Sequence, residues 1–146
     1  MSIPTTSAQR RIIEELYAEA MVLADEARDL FDQRRAVSLP QDTLAFSIEG
    51  LRTTTRLMNV LAWLLNRRAY LDGELTERQL ARTGGLPAER PATPGLPELP
   101  AIMRALVADS ERLRERVARL DTDWRSPASE GDAAALQSRL AGAFTA

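Results

Sequence analysis

The segment Leu57–Leu65 is apolar around most of a helical wheel, and this constrains the fold more than any other feature of the chain. At about 100° per residue its apolar positions sweep about 260°, and only Asn59 points the other way. In the first helical pattern, by contrast, Leu16, Tyr17, Ala20, Leu23, Ala24, Ala27, Leu30 and Phe31 stay within about 140°. An arc as wide as that of Leu57–Leu65 cannot be buried against one neighbour. Such a helix sits centrally or faces a second chain.

The rest of the chain supplies the neighbours. A first helix is predicted over about 7–36, with Ile13, Leu16, Ala20, Leu23, Ala27 and Leu30 as a three-four seam and Tyr17, Ala24 and Phe31 beside it. A second is predicted over about 42–71, after Leu39-Pro40. Asp42 is placed to cap it, and Leu44, Ile48, Leu51, Thr55, Met58, Ala62, Leu65 and Ala69 form its seam. Asp72-Gly73 ends this helix, and Thr76-Glu77-Arg78-Gln79 reads as a capping box opening a short one. Prolines and glycines then make 83–97 a connector. A third long helix is expected over about 98–124, with Leu99, Ile102, Leu106, Leu113, Val117 and Leu120 inward. Residues 1–125 thus read as one all-α domain, an antiparallel three-helix bundle with long helices. It would dimerise through the surplus apolar surface of the second helix. Residues 126–146 read as a C-terminal tail, a short Ala-rich helix or a flexible segment.

Composition removes most catalytic chemistry. The chain has no Cys and no His, and all 19 basic residues are Arg. There is no thiol nucleophile, no imidazole for metal binding or acid–base work, and no lysine for a phosphate loop or Schiff base. No catalytic, metal or cofactor site is therefore expected. The first residues lack a signal-peptide run, and the longest apolar run, Val60–Leu65, is far short of a membrane span of about 20 residues. The expected location is the cytoplasm, with no membrane partner.

Three constellations carry information. Arg52, Arg56, Asn59, Trp63, Asn66, Arg67 and Tyr70 share one face of the second helix, within about 100°. Arg, Trp and Tyr dominate binding hot spots, so this stripe reads as a protein-docking surface. The same residues would equally serve a dimer seam, with the arginines paired to acids of the first helix. Second, Glu14, Glu15, Glu19, Asp25, Glu26, Asp29 and Asp32 read as a solvated acidic face, since a bundle di-metal site needs His. Third, Arg112, Arg116 and Arg119 share a face, and Arg114 lies between them. Glu111, Glu115, Asp121 and Asp123 are interleaved, which argues against nucleic-acid binding. The hydroxyls of Thr53-Thr54-Thr55 are expected to bond back to the preceding turn.

Arg56-Leu57-Met58, Trp63-Leu64-Leu65, Arg68-Ala69 and Gly73-Glu74 resemble the signature of the RcdA (regulator of CtrA degradation) family of alphaproteobacterial proteins. In that family the second helix reads approximately Arg-Leu-Met, then Ser-Trp-Leu-Leu, Gln-Arg-Ala and Gly-Glu. Here Ala62 stands in place of the Ser and Arg67 in place of the Gln; the specific match covers about Thr53 to Thr76. The resemblance implies a cytoplasmic homodimer without catalysis. It implies an adaptor that works with other adaptors to deliver cell-cycle transcription regulators to the ClpXP protease. The family's C-terminal tail is implicated in function, which maps onto the region after Ser126. On this reading Arg56, Trp63, Arg67, Arg68, Tyr70 and Glu74 are the expected protein contacts. The alternative is a structural or regulatory helical dimer with no protease link, associated with nucleic acid.

Overall fold

A computed structural model describes residues 4–36, 43–91, 99–125 and 138–143. Among them there is no strand; the elements are α1 (Thr6–Ala36), α2 (Thr43–Leu71), α3 (Glu77–Arg82) and α4 (Ala101–Asp123). Residues 138–143 are helical and exposed. The predicted cap at Asp42 and most of the tail lie outside the described residues.

Local chemistry sets the helix ends. The Thr5 hydroxyl accepts from the backbone N–H of Ala8 at 3.3 Å, which satisfies one of the free donors at the start of α1. At the end of α2, Gly73 takes a φ of +80°, which a side chain would oppose. The Glu74 N–H then reaches back to the Ala69 carbonyl and the Gly73 N–H to that of Tyr70, closing the helix. The capping box opening α3 is present in both halves: the Gln79 N–H donates to the Thr76 hydroxyl, and the Thr76 N–H donates to the Gln79 side chain.

The three long helices pack on one another around a single apolar core. All six seam residues of α1, from Ile13 to Leu30, are buried, and Tyr17, Ala24 and Phe31 are half-buried beside them. In α4 the buried line is Met103, Leu106, Ser110, Leu113, Val117 and Asp121. Ile102, expected inside, is 65% exposed; its neighbour Met103 takes the inward place, because a one-residue change of phase turns a helix by about 100°.

The larger correction concerns α2. Its expected seam faces outward: Leu44 is 70%, Leu51 69%, Met58 64% and Leu65 47% exposed. Thr55 and Ala62 are exposed with them. The buried arc is instead Ala45, Thr53, Arg56, Leu57, Val60, Trp63 and Leu64. Both arcs are apolar enough to be buried, so apolarity does not choose between them. Polar groups do: the indole N–H of Trp63 and the guanidinium of Arg56 find acceptors on α4 and on the connector after α3. Small residues favour the same arc. A Cβ on Gly50 would collide with Cε1 and Cζ of Phe31, so this glycine permits the close approach of α1. Phe31 in turn packs edge-on against Phe46, ring centroids 5.4 Å apart.

Helix directions follow from the contacts. Arg10 near the start of α1 pairs with Asp72 after α2, while Phe31 near the end of α1 meets Phe46 near the start of α2. These two helices are antiparallel. Glu19 pairs with Arg116, and Leu30 lies near Ile102 and Leu106, so α1 and α4 are antiparallel as well. Arg56 contacts Ser110 and Trp63 contacts Asp121, so α2 and α4 run in the same direction. The connector must therefore carry the chain back along the bundle before α4 can begin.

Candidate protein-docking site

The connector returns in the groove between α2 and α4, and arginines hold it there. The Leu86 N–H donates to Asp121 Oδ2 at 3.1 Å. Arg114 donates to the Pro87 carbonyl at 2.8 Å. Arg56 Nε donates to Glu89 Oε1 at 2.5 Å, and Arg52 donates to the Arg90 carbonyl at 3.1 Å. Successive connector residues thus meet the two helices in reverse order, as an extended chain running against them must. At about 3.3 Å per residue, the few residues from Leu86 to Arg90 pass about two and a half helical turns.

This arrangement divides the predicted stripe in two. Arg52 and Arg56 share a face with Trp63, Arg67 and Tyr70, but they serve the chain itself. Arg56 is only 2% exposed, with Glu89, Ser110 and Glu111 around its guanidinium. It is not available to a partner, and its expected role as a contact residue is withdrawn. Arg56 pairs with Glu89 of the connector and Arg52 with Glu49 of α2, not with acids of α1, and Trp63 packs on Trp124 of the same chain rather than in a dimer seam.

The lower half of the stripe lines a cavity of about 460 Å³. Trp63, Asn66, Arg67 and Tyr70 of α2 form one wall; Leu80 and Ala81 of α3, Gly84 and Gly85, and Asp121, Trp124 and Arg125 form the others. Asp121 organises the α4 side. Its Oδ1 accepts from Trp63 Nε1 at 2.9 Å, and its Oδ2 accepts from Leu86 N–H and from Arg125. The guanidinium carbon of Arg67 lies 5.4 Å from the Trp63 ring, 5.6 Å from Trp124 and 5.9 Å from Tyr70, within cation–π range of all three. Burial pushes the Arg67 pKa down, opposed by the nearby charge of Asp121.

The other expected contacts scatter. Arg68 turns towards α1, 3.2 Å from Glu14 and over the Tyr17 ring. Glu74 is exposed in the turn after α2. Only Trp63, Arg67 and Tyr70 converge on one site. Sequence reasoning missed Asp121 and Trp124, which complete that site from α4. Trp124 carried a signal, as the chain's only other tryptophan, but nothing in the sequence joins two helices separated by an irregular connector.

Arg112 pairs with Asp109, Arg114 with Glu89, and Arg116 with Glu19, which breaks any continuous basic track on α4. The Thr53 hydroxyl does not bond back as expected: it is buried without a partner. Among the described residues, no helix is long and apolar enough to cross a membrane, and no group of three or more acidic residues is placed to hold a metal ion.

Comparison with known proteins agrees with the helical architecture. The chain is similar to the crystal structure of RcdA from Caulobacter crescentus CB15, at 32% identity and a TM-score of 0.59. The similarity covers 75% of this chain and 87% of that one. No curated protein sequence matches. The model of a family described as protein of unknown function, DUF1465, matches residues 5–144, and the chain belongs to that family.

Proposed function

We propose that this protein is a non-enzymatic adaptor that helps deliver cell-cycle regulatory proteins to the ClpXP protease. The likeness to RcdA, through most of both chains, carries this reading. The adaptor acts as a cytoplasmic homodimer whose copies meet through the Leu44, Leu51, Met58 and Leu65 face of α2. Two features support that assembly: the side chains are long, apolar and exposed, and they recur every seven residues, the spacing of a helix-on-helix seam.

Delivery works by effective concentration. One surface holds cargo, another engages the unfoldase or a fellow adaptor, and the second encounter becomes intramolecular. The end of the bundle bearing Arg67, Arg68, Tyr70 and Glu74 is the proposed docking surface, with Trp63 as its buried support. The test is degradation of a cell-cycle regulator by reconstituted ClpXP with its other adaptors. The chain is expected to accelerate degradation, and Arg67→Ala with Tyr70→Ala to abolish the acceleration while leaving the dimer intact. Degradation at the same rate with and without the chain would overturn the adaptor reading.

A further inference from the structure

The cavity between α2, α3 and the end of α4 holds a cation with no hydrogen-bonded counter-ion among the described residues, Asp121 acting on it only through space. Arg67 Nε is sealed from solvent with no hydrogen-bond partner. The guanidinium lies within cation–π range of three aromatic rings and makes no ion pair with a described residue. The nearest organised carboxylate, Asp121, accepts from Trp63, Leu86 and Arg125 and from no atom of Arg67. A partly desolvated charge in this position is costly unless something pairs with it. The two terminal nitrogens, unlike Nε, are not sealed off, and a guanidinium presents such donors as a planar fork matched to a carboxylate.

The walls define the rest of the ligand. Trp63, Trp124 and Tyr70 line it with aromatic surface, Leu80 and Ala81 add apolar surface, and the Asp121 and Arg125 side chains lie against Gly85. The second cation lining the cavity, Arg125, is paired with Asp121, and Glu77 stands at the exposed rim. One positive charge without an ion-pair partner among the described residues, in a cavity that also carries an acidic rim residue, suits a monoanion and disfavours a phosphate. The volume, about 460 Å³, lies in the range of small-ligand pockets.

We infer that this cavity is a binding site for a monocarboxylate carried on an apolar, preferably aromatic, body, with Arg67 pairing the carboxylate and the tryptophans and Tyr70 flanking the body. The same chemistry occurs in a free small acid and in a peptide ending in an aromatic residue. The inference shares Arg67 and Tyr70 with the proposed docking surface, but its test needs neither protease nor cargo, so the two readings fail separately.

The site carries its own reporter, because both tryptophans of the chain line it. Phenylacetate titrated into the full-length protein is expected to change tryptophan emission saturably, with matching heat in calorimetry. Phenylacetamide, the neutral analogue, is expected to bind at least about ten-fold more weakly, as is phenylacetate to Arg67→Gln, because each loses a charge-assisted pair. A tripeptide Gly-Gly-Phe and its C-terminal amide separate the sources. Binding of the free peptide acid but not the amide assigns the site to chain termini; binding of phenylacetate alone assigns it to small acids. No saturable response to either acid, or equal binding of phenylacetate and phenylacetamide, would overturn the inference. Equal affinity of wild type and Arg67→Gln for phenylacetate would overturn it too. Should Arg67→Gln fail to fold, the comparison of acid with amide on the unaltered protein decides.

Discussion

Arg56 of α2 and Glu89 of the connector are joined by two hydrogen bonds, at 2.5 and 3.3 Å, across 33 residues of sequence. The guanidinium is also held at 2.8 Å by the hydroxyl of Ser110 on α4, so one side chain ties three segments together.

Arg56→Ala is therefore expected to destabilise the protein by about 3 kcal/mol, combining lost hydrogen bonds with a cavity. Arg56→Met keeps most of the stem's packing and is expected to cost about 1 kcal/mol less. Urea unfolding followed by circular dichroism measures both. An Arg56→Ala protein within about 0.5 kcal/mol of wild type would mean that the tie contributes little.

The buried Thr53 hydroxyl, which has no partner, makes the opposite prediction. Thr53→Val keeps the shape and the branched Cβ while removing an unsatisfied polar group. A gain of about 1 kcal/mol is expected in the same unfolding experiment. A loss of stability would show that the hydroxyl is satisfied in solution.

Gly50 and Phe31 form a coupled pair. Alanine at an exposed helix position normally gains about 1 kcal/mol over glycine. At Gly50 the new methyl group would meet the Phe31 ring, and overpacking costs about 1 to 3 kcal/mol. Gly50→Ala alone is expected to destabilise, and Gly50→Ala in a Phe31→Ala background to stabilise. A double-mutant cycle with no coupling would contradict the close approach.

Leu51→Glu with Met58→Glu places charges on the outward stripe of α2 without touching the core. Sedimentation should show wild type at twice the protomer mass and the double variant at the protomer mass, with unchanged helicity. A wild-type protein that sediments as a protomer at micromolar concentration would remove the stripe as an interface.

Local rules were legible in the sequence wherever one segment carried the whole signal. The α1 seam, the Thr76–Gln79 box and the Gly73 turn each depend on neighbours a few residues apart, and each was readable. In α2 the wheel showed two apolar arcs but could not say which faces α1. That choice depends on Asp121, Ser110 and Glu89, which lie far along the chain. Arg56 reads as a surface residue because arginine is rarely buried without partners, and its partners, Glu89 on the connector and Ser110 on α4, lie far along the chain. Ile102 and Met103 show a smaller ambiguity: adjacent apolar residues leave the phase of a helix undetermined.

The shared direction of α2 and α4 also sets an order of assembly. α1 and α2 are joined by a short link and can zip together early, whereas α4 finds its place only with the segment Leu86–Arg90 running back between it and α2. Amide exchange should then reveal α4 and the segment around Leu86–Arg90 opening as one cooperative unit, while the α1–α2 hairpin stays shut.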